Sequence, residues 1–272
     1  MIEKQETKDT VRAMIARYRN LNLIIAIAGG LIAIVLITVI VIVISTNLKG
    51  DTLPVNAVYD DGGQLTGITG DPTVCIDPGH GYDDPGADSD FLGEDTAERE
   101  INFDVSLRVR DILIEYGVNV IMTHDTNIPD DKIPQNEDGK YVIDPVWRAD
   151  FANKNSPDIF VSLHCDSFPQ DSSVSGTRIY YMSSAEGGKE ASRVASLCAG
   201  KIEEAFEDEI KLRNMSPNDA YYVIKNISAP SILIEMGFIT NEEDARNMLT
   251  DNWRQKMADA IAAGIINSLL KY

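Results

Sequence analysis

The feature that most constrains the fold is residues 74–81, which predict a buried strand that breaks at once into a tight turn. Three consecutive apolar residues, 74–76, suit a central strand covered on both faces. Pro78 and Gly79 end this strand, because proline cannot donate to the ladder and glycine allows a sharp turn. His80 therefore lies just beyond a strand end, where α/β proteins tend to place ligand sites. It is a candidate ligand, with an ordinary loop histidine as the alternative.

An apolar run near the N-terminus predicts a membrane anchor. Residues 23–44 carry no charge, and as a helix they would extend about 33 Å, enough for a bilayer core of about 30 Å. Basic residues precede the run, so the positive-inside rule predicts a cytoplasmic N-terminus and an extracytoplasmic remainder at the cell membrane. A cleaved signal peptide is the alternative. The predicted organisation is a cytoplasmic segment over residues 1–20, a transmembrane anchor over 21–45, a flexible Gly- and Asp-containing linker over 46–72, and one folded domain over 73–272.

The chain beyond the anchor is strongly acidic. The whole sequence has 24 Lys and Arg against 43 Asp and Glu, which gives a net charge of -19. A surface this acidic argues against a polyanionic partner such as nucleic acid. The three cysteines form no C-x-x-C pair, which excludes a zinc-finger or thioredoxin-like motif. Nothing in the sequence indicates an oligomer.

Strands alternate with helices over residues 73–272. This pattern predicts an α/β fold with a mostly parallel twisted sheet and helices on both faces, preceded by the single transmembrane helix. We expect the first helix to begin at Asp95 as N-cap, with Glu98 at N3. Apart from the opening strand, apolar runs predict strands at residues 118–123, 159–163, 177–182, 221–224 and 231–234.

Three predicted strands lead into polar side chains, namely His80, His164 and Glu235. Because the carboxyl ends of parallel strands meet at one edge of a sheet, we expect these side chains to lie close together. A carboxylate from the first helix would complete a site. Of the three glutamates near its start, Glu98 shares the inward face with Asn102, whereas the others precede the helix or face solvent. A plain N-terminal helix carboxylate is the alternative for Glu98.

Two histidines, one glutamate and an open fourth position form the ligand set of a catalytic zinc site. Zinc lowers the pKa of bound water toward about 7. Glu235 is then left to act as general base and afterwards as general acid. Its apolar strand should raise the pKa of its carboxyl group through burial. The predicted chemistry is zinc-assisted amide hydrolysis.

Five motifs support this interpretation. They are D-P-G-H-G at 77–81, E-R-E-I-N-F at 98–103, W-R-A-D-F-A-N at 147–153, S-L-H-C-D at 162–166 and P-S-I-L-I-E-M-G-F-I-T-N at 230–241. In this order they resemble the zinc-dependent N-acetylmuramoyl-L-alanine amidases. The resemblance implies that residues 73–272 are a catalytic domain that acts on peptidoglycan. The bond cut would be the amide between N-acetylmuramic acid and L-alanine.

The resemblance also implies residue roles. His80, Glu98 and His164 would bind one Zn²⁺, and Glu235 would be the catalytic glutamate. Five further residues are expected to support the site or contact substrate: Asp77, Asn102, Arg148, Asn153 and Arg213. The chain departs from the family pattern at Gly176-Thr177-Arg178, where members often have Gly-Phe-Glu.

Two other functions are compatible with the sequence. A zinc peptidase that cuts bonds within the stem peptide would use the same kind of ligand set. A catalytically inactive wall-binding protein on the same fold is the second alternative, although all four site residues are present.

Overall fold

A computed structural model describes residues 58–59, 65–66, 68, 70–93, 96–125, 135–184 and 187–270. All of them belong to one compact unit, Leu53–Tyr272. No helix within these ranges combines the length and hydropathy that a bilayer span requires. The predicted cytoplasmic segment and anchor, residues 1–20 and 21–45, lie outside the described residues, so they stay predictions.

The centre of the domain is a six-stranded sheet in the order β4-β3-β5-β8-β6-β7. Neighbouring strands β4, β3, β5 and β8 are parallel, whereas β6 runs antiparallel to β8 and pairs in parallel with β7. The mostly parallel prediction therefore holds for the four strands that carry the site, and the sheet becomes mixed beyond them. The strands are β3 (Thr73–Pro78), β4 (Asn119–Met122), β5 (Ile159–Asp166), β6 (Arg178–Tyr181), β7 (Ser216–Pro217) and β8 (Ser231–Phe238).

Helices cover both faces of this sheet. Asp77 of β3 and Ser162 of β5 are register partners on one face, where Asp77 contacts Arg148 of helix α2. Cys165 of β5 contacts Asn102 of helix α1 on the opposite face. The helices are α1 (Glu98–Glu115), α2 (Pro145–Asn155), α3 (Gly188–Phe206), α4 (Tyr222–Lys225), α5 (Glu242–Met248) and α6 (Asp251–Leu269).

Helix α1 begins later than the sequence predicts. Its N-cap is Ala97, and the N3 residue is Glu100 rather than Glu98. The Glu100 carboxylate accepts a hydrogen bond of 2.8 Å from the Ala97 N–H, which satisfies a donor at the helix start. Glu98 is consequently the first helical residue. Asp95, the predicted cap, lies outside the described residues.

The strand predicted over residues 221–224 is instead the short helix α4. The Asn218 side chain accepts hydrogen bonds from the N–H groups of Ala220 and Tyr221, which turns the chain into the helix. A four-residue apolar run does not distinguish a strand from a buried helical turn by periodicity, and here the preceding turn decides.

Two strands extend beyond their site residues. Strand β5 continues past His164 to Asp166, and β8 continues past Glu235 to Phe238, with a register shift between His164 and Asp166. His164 and Glu235 therefore lie within paired strands and are register partners of each other, and Glu235 also pairs with Arg178 on its other side.

The linker predicted over residues 46–72 is described only in part. Two short strands there, β1 (Val58–Tyr59) and β2 (Leu65–Thr66), pair antiparallel, and Ile68 forms a β-bridge with Leu270. The described part of this segment is therefore regular rather than featureless. The sequence between β1 and β2 contains Asp-Asp-Gly-Gly, which is typical of a turn.

Helices α3 and α6 pack closely because Gly264 leaves room for the backbone of Cys198. A Cβ atom at Gly264 would lie 2.5 Å from the Cys198 Cα and 2.7 Å from its nitrogen. Backbone atoms in the middle of a helix cannot move aside as the end of a flexible side chain can. All three cysteines are buried and unpaired.

We expect Gly264→Ala to lower the free energy of unfolding by about 1–3 kcal/mol, because the added methyl group forces the two helices apart. Gly200→Ala on α3 is the matched control, since no described atom lies within 4 Å of a Cβ there. It should raise the stability by about 0.5–1 kcal/mol through helix propensity. Urea denaturation measures both values. An unchanged free energy of unfolding in Gly264→Ala would contradict the close packing of α3 and α6.

Candidate active site

His80, Glu98 and His164 converge on one point at the carboxyl edge of the parallel strands. One ligand atom from each residue lies within 4.8 Å of the others. Glu98 Oε2 is 3.2 Å from His80 Nε2, and Glu98 Oε1 is 3.2 Å from His164 Nδ1. The structure thus brings together three side chains that are far apart in the sequence, one from a turn, one from a helix and one from a strand.

The Glu98 carboxylate is fixed by neighbours other than the histidines. Its Oε1 accepts hydrogen bonds from the Asn102 amide at 3.0 Å and the Cys165 N–H at 3.1 Å. Its Oε2 accepts one of 2.8 Å from the Ala87 N–H. Burial favours the neutral acid, but hydrogen bonds and charge from His164 and His80 outweigh it and hold the pKa of Glu98 well below its usual range. The carboxylate is therefore ionised and immobile.

Two glycines allow these side chains to approach. A Cβ atom at Gly79 would lie 2.3 Å from the His164 ring, and one at Gly86 would lie 2.6 Å from Glu98 Oε2. Gly86 also has φ of +79°, a conformation that other residues rarely adopt. Gly79, the first glycine of the D-P-G-H-G motif, thus makes room for His164 of β5.

A buried ion pair fixes the turn that carries His80. Arg148 donates to Asp77 Oδ1 at 2.6 Å, to the Pro78 carbonyl at 2.5 Å, and to the carbonyls of His80 and Ile143. His80 itself has φ of +63°, a left-handed conformation that costs free energy in a non-glycine residue. The Arg148 guanidinium stabilises this turn through its hydrogen bonds to the Pro78 and His80 carbonyls.

The Asp77 carboxylate is satisfied on every side. It accepts hydrogen bonds from Thr123 at 2.6 Å and Ser162 at 2.7 Å, in addition to Arg148. Burial alone would raise the pKa of Asp77, yet the charge of Arg148 and these hydrogen bonds lower it. Asp77 is therefore a buried anion that links β3, β5, α2 and Thr123, the residue that follows β4.

Glu235 is the fourth side chain at this edge. It is the register partner of His164 on the adjacent strand and only 6% exposed. Its Oε2 atom is buried and has no hydrogen-bond partner among the described residues. Burial raises the pKa of Glu235 well above its ordinary value, nearby Asp166 and Glu98 add to this, and Arg178 opposes it. A carboxyl group with a raised pKa and an unpaired oxygen is suited to proton transfer.

These residues open onto a cleft of about 210 Å³. Tyr221, Tyr222 and Val223 of the α4 region line this cleft together with residues 142–145. The loop over residues 167–177 contains no helix. The other residues that line the cleft are Asp77, His80, Asp84, Arg148, His164, Leu233 and Glu235.

Two of the predicted supporting residues lie away from the metal-ligand set. Asn153 contacts the turn after α4, where its side chain donates to the Asn226 carbonyl and accepts from the Ser228 N–H. Arg213 donates to the Ser175 carbonyl at 3.0 Å and lies over the Phe238 ring. Asp77, Asn102 and Arg148, in contrast, contact the set or the turn that carries it.

Sequence reasoning missed Asp84, whose Oδ2 lies 2.8 Å from His80 Nδ1. This contact orients the ring so that Nε2 points toward Glu98. Asp84 is one of several aspartates in the polar loop after His80, and no sequence signal distinguishes it from the others. His124, the third histidine, is buried beside Phe103 and Tyr82, and burial and the charge of Arg148 lower its pKa to about 4.

The donor set fits a zinc ion. Two imidazole nitrogens and one carboxylate oxygen are the ligands of a catalytic zinc with an open position. Both Glu98 and His80 already have their remaining polar atoms occupied by other contacts, as expected for metal ligands oriented by the protein. Gly86 provides a cradle that a side chain would fill. A site of this kind, beside a buried carboxyl group at the edge of an α/β sheet, defines a hydrolase.

Comparison with known proteins identifies the family. The profile of the N-acetylmuramoyl-L-alanine amidases matches residues 74–267, so the chain belongs to this family and the resemblance predicted from its motifs is confirmed. This chain is 36% identical over 194 residues to the uncharacterized protein YqiI of Bacillus subtilis strain 168, and the aligned region covers 71% of this chain and 82% of that protein. It is 29% identical to the N-acetylmuramoyl-L-alanine amidase AmiA of Escherichia coli K12, covering 73% and 76%.

A solved structure agrees. The N-acetylmuramoyl-L-alanine amidase AmiC2 of Nostoc punctiforme superposes with a TM-score of 0.60 at 29% identity, covering 72% of this chain and 96% of that one. The protein is therefore an amidase-family hydrolase on this α/β sheet.

Removing the Arg148 side chain should be strongly destabilising, because it leaves the Asp77 charge buried without its partner. We expect Arg148→Ala to lower the free energy of unfolding by about 3–5 kcal/mol. Adding Asp77→Asn should recover part of the loss, since the buried charge is then gone. Urea denaturation of chelator-treated protein gives both values.

The matched control is Arg246→Ala, which removes an exposed ion pair with Glu242 and should change stability by less than about 1 kcal/mol. A loss in Arg148→Ala no larger than in this control would show that the buried pair does not stabilise the turn.

Proposed function

We propose that this enzyme hydrolyses the amide bond between N-acetylmuramic acid and L-alanine in peptidoglycan, with one zinc ion bound by His80, Glu98 and His164. The observation that carries the proposal is the position of Glu235 directly across the ladder from His164, with a buried Oε2 that has no hydrogen-bond partner in the described part of the chain. Membership of the amidase family supports the substrate class.

A bound zinc ion would supply Lewis acidity that polarises the scissile carbonyl and acidifies a water molecule. Glu235 removes a proton from the attacking water and then delivers it to the leaving amine. Its raised pKa suits the second role, because the carboxyl group must hold that proton at neutral pH.

The surrounding residues keep the site in one geometry. Asn102 and the Ala87 and Cys165 N–H groups hold Glu98, and Asp84 orients His80. These contacts hold the Glu98 carboxylate facing both histidines, so binding of the ion requires little rearrangement.

For the location of the enzyme, we propose that the uncharged run at residues 23–44 anchors it in the cell membrane with the catalytic domain outside. The anchor would hold the domain beside its polymeric substrate.

The reaction is tested by mass spectrometry of muropeptides after digestion with the zinc-loaded protein. We expect free stem peptides that begin with L-alanine, together with glycan that retains its lactyl groups. Glu235→Gln should lower kcat by roughly 10²–10⁴-fold, because it removes proton transfer and leaves the shape of the site. Its zinc content, measured by mass spectrometry of the metal, should equal that of the wild type.

Glu203→Gln, an exposed change on α3, is the control and should leave kcat unchanged. Fragments cut between amino acids, with muramyl amides intact, would support the peptidase alternative. Full activity in Glu235→Gln would refute its assigned role, and a wild type that binds zinc without cleaving murein would support the inactive wall-binding alternative.

A further inference from the structure

Four neighbouring chain segments place charged side chains in one row on the cleft face of the sheet. His164 of β5 pairs with Glu235 of β8, and Glu235 pairs with Arg178 of β6. Thr177 then forms a parallel bridge with Leu212, so the next residues, Arg178 and Arg213, are neighbours. Register partners project to the same face. The row therefore runs from the metal-ligand set through Glu235 to two adjacent arginines.

These two arginines differ from the others in the part of the chain that the structure describes. Seven arginines there form ion pairs with carboxylates, whereas neither Arg178 nor Arg213 does. Each has a buried Nε without a hydrogen-bond partner among the described residues. Both side chains are partly exposed, so the row remains accessible from solvent.

The arginine side chains are held by neutral groups, and among the described residues the carboxylates of Asp166 and Glu235 act on them only from beyond ion-pair distance. Arg178 donates to the Tyr180 hydroxyl at 3.0 Å, and Tyr180 packs edge-on against Tyr221. Arg213 donates to the Ser175 carbonyl at 3.0 Å, and its guanidinium lies over the Phe238 ring. Buried donors without partners are unfavourable, and the Nε atoms of both arginines are such donors in the described part of the chain. A bound anion would give these donors a partner.

We propose that Arg178 and Arg213 form a subsite that binds a carboxylate on the peptide side of the scissile amide. A guanidinium presents paired N–H donors that match the geometry of a carboxylate. If Glu235 protonates the leaving amine, the released peptide lies beside Glu235, on the side of the row away from His164. Arg178 and Arg213 are the next residues in that direction. The N-acetylated glycan carries no charge, so the carboxylates of the substrate lie on the peptide. This inference rests on the proposed function.

The test is a calorimetric titration of the full chain, freed of metal, with the synthetic peptide L-alanyl-γ-D-glutamyl-L-lysine. We expect Arg178→Gln and Arg213→Gln each to raise the Kd about ten- to hundredfold, because each removes a hydrogen bond between charged groups. Arg178→Lys keeps the charge and should recover part of the affinity. Arg246→Gln, on the exposed surface of α5, should bind as the wild type does.

Amidated peptides identify the carboxylate. One peptide is amidated at the glutamyl α-carboxylate and another at the C-terminal lysine. The peptide that lacks the recognised group should bind the wild type weakly, and Arg178→Gln should weaken it no further. Equal effects of Arg178→Gln on acid and amidated peptides, or no effect on any, would overturn the subsite.

The two proposals can fail separately. Arginine-dependent binding of the acid peptide by a protein that cleaves no muramyl amide would leave the subsite standing and refute the proposed function. An Arg178→Gln variant that cleaves the acid muramyl peptide with the wild-type kcat/KM would refute the subsite alone.

Discussion

The buried pair of Arg148 and Asp77 is the interaction on which the site depends. One guanidinium satisfies a carboxylate at the end of β3 and the carbonyls of the turn that follows it, while Thr123 and Ser162 complete the carboxylate from the neighbouring strands. A buried charge is tolerated only when it is paired and fully hydrogen-bonded. Because every partner comes from a different element, the pair joins α2 to three strands and holds His80 in its left-handed conformation.

The residues gathered above this pair were largely predictable from the sequence. Apolar runs that end in His80, His164 and Glu235 predict strands, and parallel strands bring their carboxyl ends to one edge. Glu94 precedes the predicted helix, and helical periodicity selects Glu98 over Glu100 because Glu98 lies on the same inward face as Asn102. The structure brings all four side chains to that edge, although Glu98 starts its helix instead of occupying the third position.

Features set by tertiary register were not predictable. Asp84 is one aspartate among several in a polar loop, and only its contact with His80 distinguishes it. Arg178 was visible as a departure from the family pattern, but its position opposite Glu235 follows from the antiparallel pairing of β6 with β8. Likewise the apolar run at residues 221–224 gave no sign that Asn218 would turn it into a helix. Local sequence patterns thus predicted the helices and strands better than they predicted which residues contact each other between these elements.

The proposed zinc ion lies among His80, Glu98 and His164, next to Glu235. Anomalous X-ray scattering at the zinc absorption edge, from crystals of the zinc-loaded protein, tests its presence most directly. The structure described above predicts one strong peak, about 2.0–2.2 Å from a nitrogen of each histidine and from a Glu98 oxygen. A zinc peak elsewhere in the domain, or no peak among these three side chains in zinc-saturated crystals, would contradict it.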